Sequence, residues 1–262
     1  HDALPIYHMA SPDVHVDNEN QRIIMYFHTG SSTFVDGKEL KKQLTYVTES
    51  PYGLNFYNNI QPVILGTSYF RVFEYGGNMY SLTNDGTPFM APDINAPWTP
   101  PAGFDFEKQL WSEHPGNPFQ EDINADGYTK DELRVRHTAV RLVDDDLHVF
   151  YSRRGELVER IQWSLVHLKY RDWEQWDASY PPMEIIRPLP GWEGGELPEI
   201  PSETSAAPEN VNQLRDPHVL EDLDGSLYLV YSGRGEDALG IAVLYRSEEH
   251  TSELQSLLIN SY

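Results

Sequence analysis

The 262 residues contain no cysteine. That excludes disulfides, thiolate metal sites and a cysteine nucleophile. Basic residues are scarce: 19 Lys and Arg stand against 41 Asp and Glu, a formal net charge of −22. A surface this acidic repels phosphate backbones and anionic lipid, so no nucleic-acid or membrane partner is expected. No run is long and apolar enough to cross a bilayer as a helix. No amphipathic helix of ordinary length stands out, and neither a nucleotide-binding loop nor a serine–histidine triad is suggested. Aromatic residues are abundant, with 16 Tyr, 10 Phe and 6 Trp. They suit pleated, half-buried surfaces, which points to a β-rich chain. The length suits one large domain.

A repeat runs along the chain. Four segments share one grammar: a short strand with polar residues at its start, a turn, then an apolar-aromatic strand ending in a glycine-containing loop. They begin at Ala10-Ser-Pro-Asp-Val, Tyr69-Phe-Arg-Val-Phe, Arg136-His-Thr-Ala-Val and Arg215-Asp-Pro-His-Val. The last two are most alike, with Phe150-Tyr-Ser-Arg-Arg-Gly-Glu156 against Val230-Tyr-Ser-Gly-Arg-Gly-Glu236. Repeats of small antiparallel meanders separated by long insertions predict an all-β propeller. A β-sandwich is the rival, but it leaves the repeated Tyr-Ser-x-Arg-Gly loop unexplained. Residues 93–133 and 187–212 read as insertions or connectors, and 31–43 as a polar hairpin or loop.

Arg215-Asp216-Pro217-His218-Val219, with Asp224-Gly225 before Ser226-Leu-Tyr-Leu-Val-Tyr231, resembles the five-bladed propeller hydrolases. This is the arabinanase, xylosidase, levansucrase and invertase group that includes glycoside hydrolase family 43. Ser11-Pro12-Asp13-Val14 opening a blade resembles the same group. The resemblance covers the repeat cores, about half of the chain. It implies a five-bladed propeller with about four blades present, acting on O-glycosidic bonds of oligo- or polysaccharide. It also implies an aspartate base on the first blade, a second aspartate on the next, and a glutamate acid beyond. On that reading the chain begins at the second blade, Asp13 matches the second aspartate, and the base lies on a blade outside it. The chain by itself is then expected to be inactive. The next opening strand departs from the pattern, carrying Arg71 and Glu74.

Both ends resemble translated short-read sequencing adapters: residues 1–7 from His1, and 246–262 from Arg246-Ser-Glu-Glu-His-Thr-Ser-Glu-Leu-Gln-Ser. The propeller is therefore assigned to 8–245, as expected of a metagenomic fragment. The two ends are expected to lack stable strand pairing and to leave Leu254, Leu257 and Leu258 unburied.

In a propeller the innermost strand of each blade starts at the rim of a central funnel. The loop between the second and third strands returns to that face. Two sets of residues are therefore expected to converge. The first holds Asp13, His15, Arg71, Arg136, His137, Arg215 and Asp216. The second holds His28, Arg153, Arg154, Glu156, Glu159, Arg160, Arg234, Glu236 and Asp237. Glycoside hydrolysis needs one protonated and one ionised carboxyl across the sugar ring. Crowded carboxylates raise one another's pKa and arginines lower it, so Asp13, Asp216 and Glu159 are the candidate catalytic groups. His15, Arg71, Arg136, His137, Arg154, Glu156, Arg215 and Arg234 are candidate substrate contacts. The bland alternative is structural ion pairs and strand-start turns.

No cofactor is required for this chemistry. Asp122-Ile-Asn124-Ala-Asp126-Gly127 resembles the first half of a calcium loop, but Leu133 occupies the last ligand position, so a solvated acidic turn competes with a Ca²⁺ site. Trp173 and Trp176 are expected in the core, whereas Trp98 and Trp192 are candidates for stacking on sugar. Three functions remain open: a glycoside hydrolase, a non-catalytic carbohydrate-binding propeller with the same funnel, and a structural or protein-binding propeller.

Overall fold

A computed structural model describes residues 9–35, 38–56, 59–119, 134–169, 172–203, 207, 209–246 and 257–261, with the backbone alone for 31–35, 38–41, 246 and 257–261. The chain divides into two compact units, His1–Pro115 and Gly116–Tyr262.

The first unit holds two four-stranded antiparallel sheets. One comprises β1 (Ala10–Asp17), β2 (Arg22–Val35), β3 (Lys38–Ser50) and β4 (Gly66–Thr67). Residues 31–35 and 38–43 thus pair as parts of the β2–β3 hairpin. The other comprises β5 (Arg71–Tyr75), β6 (Asn78–Leu82), β7 (Pro88–Met90) and β8 (Ser112–Glu113). Tyr26 and Val47 from the first sheet bury against Phe70, Val72 and Phe89 from the second, with Trp111 sealing the cluster. The strands alternate so that one apolar face of each sheet meets the other. Trp111 is fully buried, and its Nε1 donates to Pro97 O at 2.9 Å.

The second unit repeats the plan. One sheet is β9 (Arg134–Val143), β10 (Asp146–Arg154), β11 (Ile161–His167) and β12 (Met183–Ile186). The other is β13 (Arg215–Glu221), β14 (Leu227–Gly233), β15 (Ala238–Arg246) and β16 (Leu257–Ser261). Phe150, Ile161 and Trp163 pack against Leu229, Tyr231 and Leu244. The four predicted repeats are therefore four meanders of identical strand order. The only helical element labelled among the described residues of the second unit is the 3₁₀ turn Trp173–Gln175. In the 93–119 stretch a short β8 and turns replace any helix.

The C-terminal expectation is corrected in one respect. Leu257–Ser261 pairs in register with Ala242–Arg246. An open edge such as that of β15 offers a row of unpaired N–H and C=O groups, and a Leu-Leu-Ile segment has the β-propensity to take it, whatever its origin. The burial of Leu254, Leu257 and Leu258, and residues 1–7, lie outside the described residues.

Of the two tryptophans expected at a ligand, Trp98 is half-buried among its neighbours, whereas Trp192 is 42% exposed. Trp98 lies edge-on to Tyr26 with centroids 6.3 Å apart, and its Nε1 donates to the Tyr26 hydroxyl at 3.3 Å. Arg22 covers the Trp98 ring at 5.3 Å. Trp192 stacks on Tyr231 at 6.1 Å. Gly240 permits that stack, because a Cβ there would sit 2.5 Å from both rings. Trp176 is buried as expected.

The Tyr231 hydroxyl donates to Glu193, a carboxylate almost wholly buried whose other oxygen accepts from the Leu189 N–H at 2.7 Å. Tyr231→Phe removes one of these donors from a buried charge. It should lower stability by about 1–3 kcal/mol in urea unfolding with an unchanged m-value. A loss below a few tenths of a kcal/mol would show that the hydroxyl contributes nothing to the connector's anchoring.

Candidate functional site

The same backbone device opens three of the four meanders. Between Ala10 and Asp13, Arg136 and Ala139, and Arg215 and His218, two residues face one on the neighbouring strand. This is a β-bulge, which bends a strand and re-aims a side chain. The first bulged residue has positive φ each time: Ser11 at 51°, His137 at 57° and Asp216 at 49°. Tyr69, two residues before Arg71, has φ 70° and precedes β5 in the same way. None is glycine, the residue that adopts this conformation without steric cost. Asp216 is thus equivalent by register to Ser11, and Asp13 to His218.

In the first unit Asp13, His15 and Arg71 come together. The Asp13 Oδ2 accepts from His15 Nε2 at 2.8 Å and from the Val72 N–H at 2.8 Å. Arg71 donates to the carbonyls of Ser11 and Phe70 at 3.3 and 3.2 Å. His28 stacks on Tyr69 at 5.2 Å. Burial pushes the Asp13 carboxyl up, but His15, Arg71 and the Val72 N–H together hold it below the ordinary value. Burial likewise disfavours charged His15, yet the Asp13 hydrogen bond and charge hold its pKa above the ordinary value.

The pair has a defined pH window. Asp13, with a lowered folded pKa, contributes stability above its ordinary 3.8 and loses it as pH falls through the lowered value. His15, with a raised folded pKa, contributes fully below 6.5 and loses it as pH rises through the raised value. Both contributions are complete between those limits. The Tm difference between the protein and His15→Gln should therefore be larger at about pH 5.5 than at about pH 9, and should shrink as pH rises through the raised value. A difference that stays constant across this range would refute the charged pair.

In the second unit the residues of the two sequence sets divide into three networks. Glu159 is fully buried between two guanidiniums, 3.4 Å from Arg136 Nε and 3.3 Å from Arg215 Nε. Ser152 Oγ donates to it at 2.6 Å. Arg215, also fully buried, reaches Gln213 and donates to Glu236 at 2.8 Å. Arg136 donates to the Glu203 carbonyl at 2.8 Å.

The second network is His137, Asp216 and Ser232. His137 Nδ1 lies 3.0 Å from Asp216 Oδ1 and 3.4 Å from the Asp216 backbone N. A protonated His137 donates to the carboxylate; a neutral one accepts from the N–H. Ser232 Oγ donates to Asp216 Oδ2 at 3.2 Å. The Asp216 side chain is 35% exposed.

The third is built on Glu156, with Arg153, Arg160 and Gln162 around it. Arg234 belongs to none of these: it donates to Glu196 at 3.2 Å and anchors the 187–212 connector. Arg154 ends β10, in register with Arg134. Asp122, Asn124 and Asp126 lie outside the described residues.

The sequence sets omitted Ser152, Ser232, Gln162 and Gln213. A signal for the serines was present, because both sit at the second position of the repeated Tyr-Ser-x-Arg-Gly phrase. Each faces the first-strand arginine of its meander, Ser152 opposite Arg136 and Ser232 opposite Arg215.

No protein-family model matches the chain. The chain is 32% identical over 245 residues to an uncharacterized protein of Acanthamoeba polyphaga mimivirus, covering 92% of this chain and 63% of that protein. The chain thus spans less than two thirds of the relative's length. Its structure is similar to an α-L-arabinanase of Cellvibrio cellulosa solved with arabinohexaose, at TM-score 0.53 and 12% identity over 97% of this chain and 77% of the enzyme. The fold is that of the β-propeller glycoside hydrolases. A β-1,2-mannobiose phosphorylase of Listeria innocua, solved with its disaccharide, shares it at TM-score 0.52 and 8% identity over 93% of this chain and 74% of that one. The four meanders are thus propeller blades.

Proposed function

We propose that this propeller binds oligo- or polysaccharide and acts on O-glycosidic bonds, with Asp216 as the carboxylate that meets the substrate. The observation that carries the reading is the placement of Asp216. It is partly exposed, sits on a left-handed bulge of a kind found at active sites, and is held by His137 and Ser232. An ionised carboxylate fixed in this way suits the base or nucleophile of glycoside hydrolysis. His137 orients it. Glu159 and Arg136 act through Arg215 and the bulge, as positioning residues. Asp13 is held ionised and supplies negative charge at the start of its own blade. The fold supports this reading: the arabinanase and phosphorylase neighbours were solved with oligosaccharides.

A non-catalytic carbohydrate-binding propeller is the second reading, favoured by the burial of Asp13 and Glu159. Both are committed to internal partners rather than to a ligand. The readings separate when a protein that carries the complete propeller is assayed for both binding and bond cleavage on a panel of arabino-, xylo- and manno-oligosaccharides. Cleavage of any member supports the first reading. Binding without cleavage selects the second, and neither binding nor cleavage overturns both.

A further inference from the structure

A cavity of about 490 Å³ opens beside the third blade, within the size range of small-molecule sites, roughly 300–1,000 Å³. Its wall includes Glu156, Gln162, Arg160, Arg187, Leu157 and Pro182. None of these belongs to the His137–Asp216 network.

The wall is unevenly satisfied. Glu156 Oε1 accepts from Arg153 Nε at 3.0 Å, Arg153 Nη2 at 2.8 Å and Gln162 Nε2 at 3.1 Å, with Arg160 Nη2 at 3.5 Å. Its Oε2 has no partner, nor do Gln162 Oε1 and Arg160 Nε, and all three atoms are buried. Bare buried acceptors are costly unless something donates to them. Burial also pushes the Glu156 carboxyl above the usual range, against the pull of Arg153 and Arg160.

The surrounding charges narrow the ligand. An anion would face Glu156 and Glu199 and could not satisfy the bare acceptors. A cation would face Arg153, Arg160 and Arg187 in the same wall. A neutral ligand rich in hydroxyls avoids both penalties. Its hydroxyls can accept from the arginines and donate to Glu156 and Gln162 once these side chains turn their bare oxygens toward the cavity, since a hydroxyl does both. The apolar face of a sugar ring fits against Leu157, Val158, Pro181 and Pro182. We infer that this cavity is a second saccharide site, separate from the Asp216 network. The inference rests on the carbohydrate reading above for its choice of probe.

The test titrates arabino-, xylo- and manno-disaccharides into the protein by calorimetry and ligand-observed NMR. Three variants are compared after their folding is checked by thermal melting. Leu157→Trp fills the cavity from an exposed position. Glu156→Gln keeps the shape and replaces the carboxylate. Asp216→Asn alters the other network. Leu157→Trp, by occupying the space, and Glu156→Gln, by the loss of one hydrogen bond to a charged group, should each weaken binding of one disaccharide about tenfold or more, while Asp216→Asn leaves that binding unchanged. If a disaccharide binds and neither Leu157→Trp nor Glu156→Gln weakens its binding, the second site is refuted and the carbohydrate reading stands. If no disaccharide binds the unmodified protein, both fall. If Glu156→Gln proves unstable, Leu157→Trp decides alone.

Discussion

Glu159→Ala should lower the stability of the second unit by about 3–5 kcal/mol, the cost typical of breaking a buried ion pair from one side. Glu159 is fully buried, and its carboxylate lies between the Arg136 and Arg215 guanidiniums. Both arginines are themselves almost wholly buried. Removing the carboxylate leaves two cations close together with their shared counter-charge gone, and it strips the Ser152 hydroxyl of its acceptor. Arg215 keeps Gln213 and Glu236, so it retains part of its compensation. Arg136 keeps its hydrogen bond to the Glu203 carbonyl. The measurement is urea unfolding of both proteins at neutral pH, followed by far-ultraviolet circular dichroism. The double variant Glu159→Leu with Arg136→Met should recover part of the loss, because well-packed apolar replacements of buried ion pairs are often neutral or stabilising. A loss below about 1 kcal/mol for Glu159→Ala would mean that water enters and solvates the arginines, and that the site is not closed.

Asp216→Asn should lower glycoside turnover by about 10²–10⁴-fold in a protein that carries the complete propeller, the contribution typical of one acid–base group. The amide keeps the side-chain shape and can still accept from Ser232. It cannot carry the negative charge that the transition state requires. Saccharide binding should fall far less than turnover, because ground-state contacts outnumber those made by one carboxylate. His137→Gln should produce a smaller fall and shift the pH profile of kcat, since the residue acts through Asp216 rather than on substrate. Steady-state rates across the glycoside panel, with binding measured in parallel, provide the test. Unchanged turnover in Asp216→Asn would remove this residue from the site. A binder that cleaves nothing would place the protein with the lectin-like reading.

The repeat was legible in the sequence because its signals are local. Alternation in Leu227-Tyr-Leu-Val-Tyr231, Asp-Gly turns and the Tyr-Ser-x-Arg-Gly phrase each involve neighbours along the chain, and each recurs at the same place in a meander. Strand order and the all-β class follow from such signals. The Asp216 and His137 positions were legible for the same reason, as both open a repeat.

The partners of the buried charges were decided by tertiary register. The Val72 N–H that grips Asp13 lies 59 residues away, and His137 lies 79 residues from Asp216. Nothing along the chain marks Glu159, seven residues past Ser152, as the anion that two arginines from different blades would share. A sequence lists charges of either sign but not their depth. Burial decides whether a carboxylate meets a ligand or is spent on its own framework, since an unpaired charge cannot stay inside. Trp98 and Trp192 make the same point for aromatics, because only packing distinguishes a ring held among its neighbours, as Trp98 is, from one that stays exposed, as Trp192 does. The left-handed residues Ser11, Tyr69, His137 and Asp216 were equally hidden, since none is glycine and their conformation is imposed by the surrounding fold.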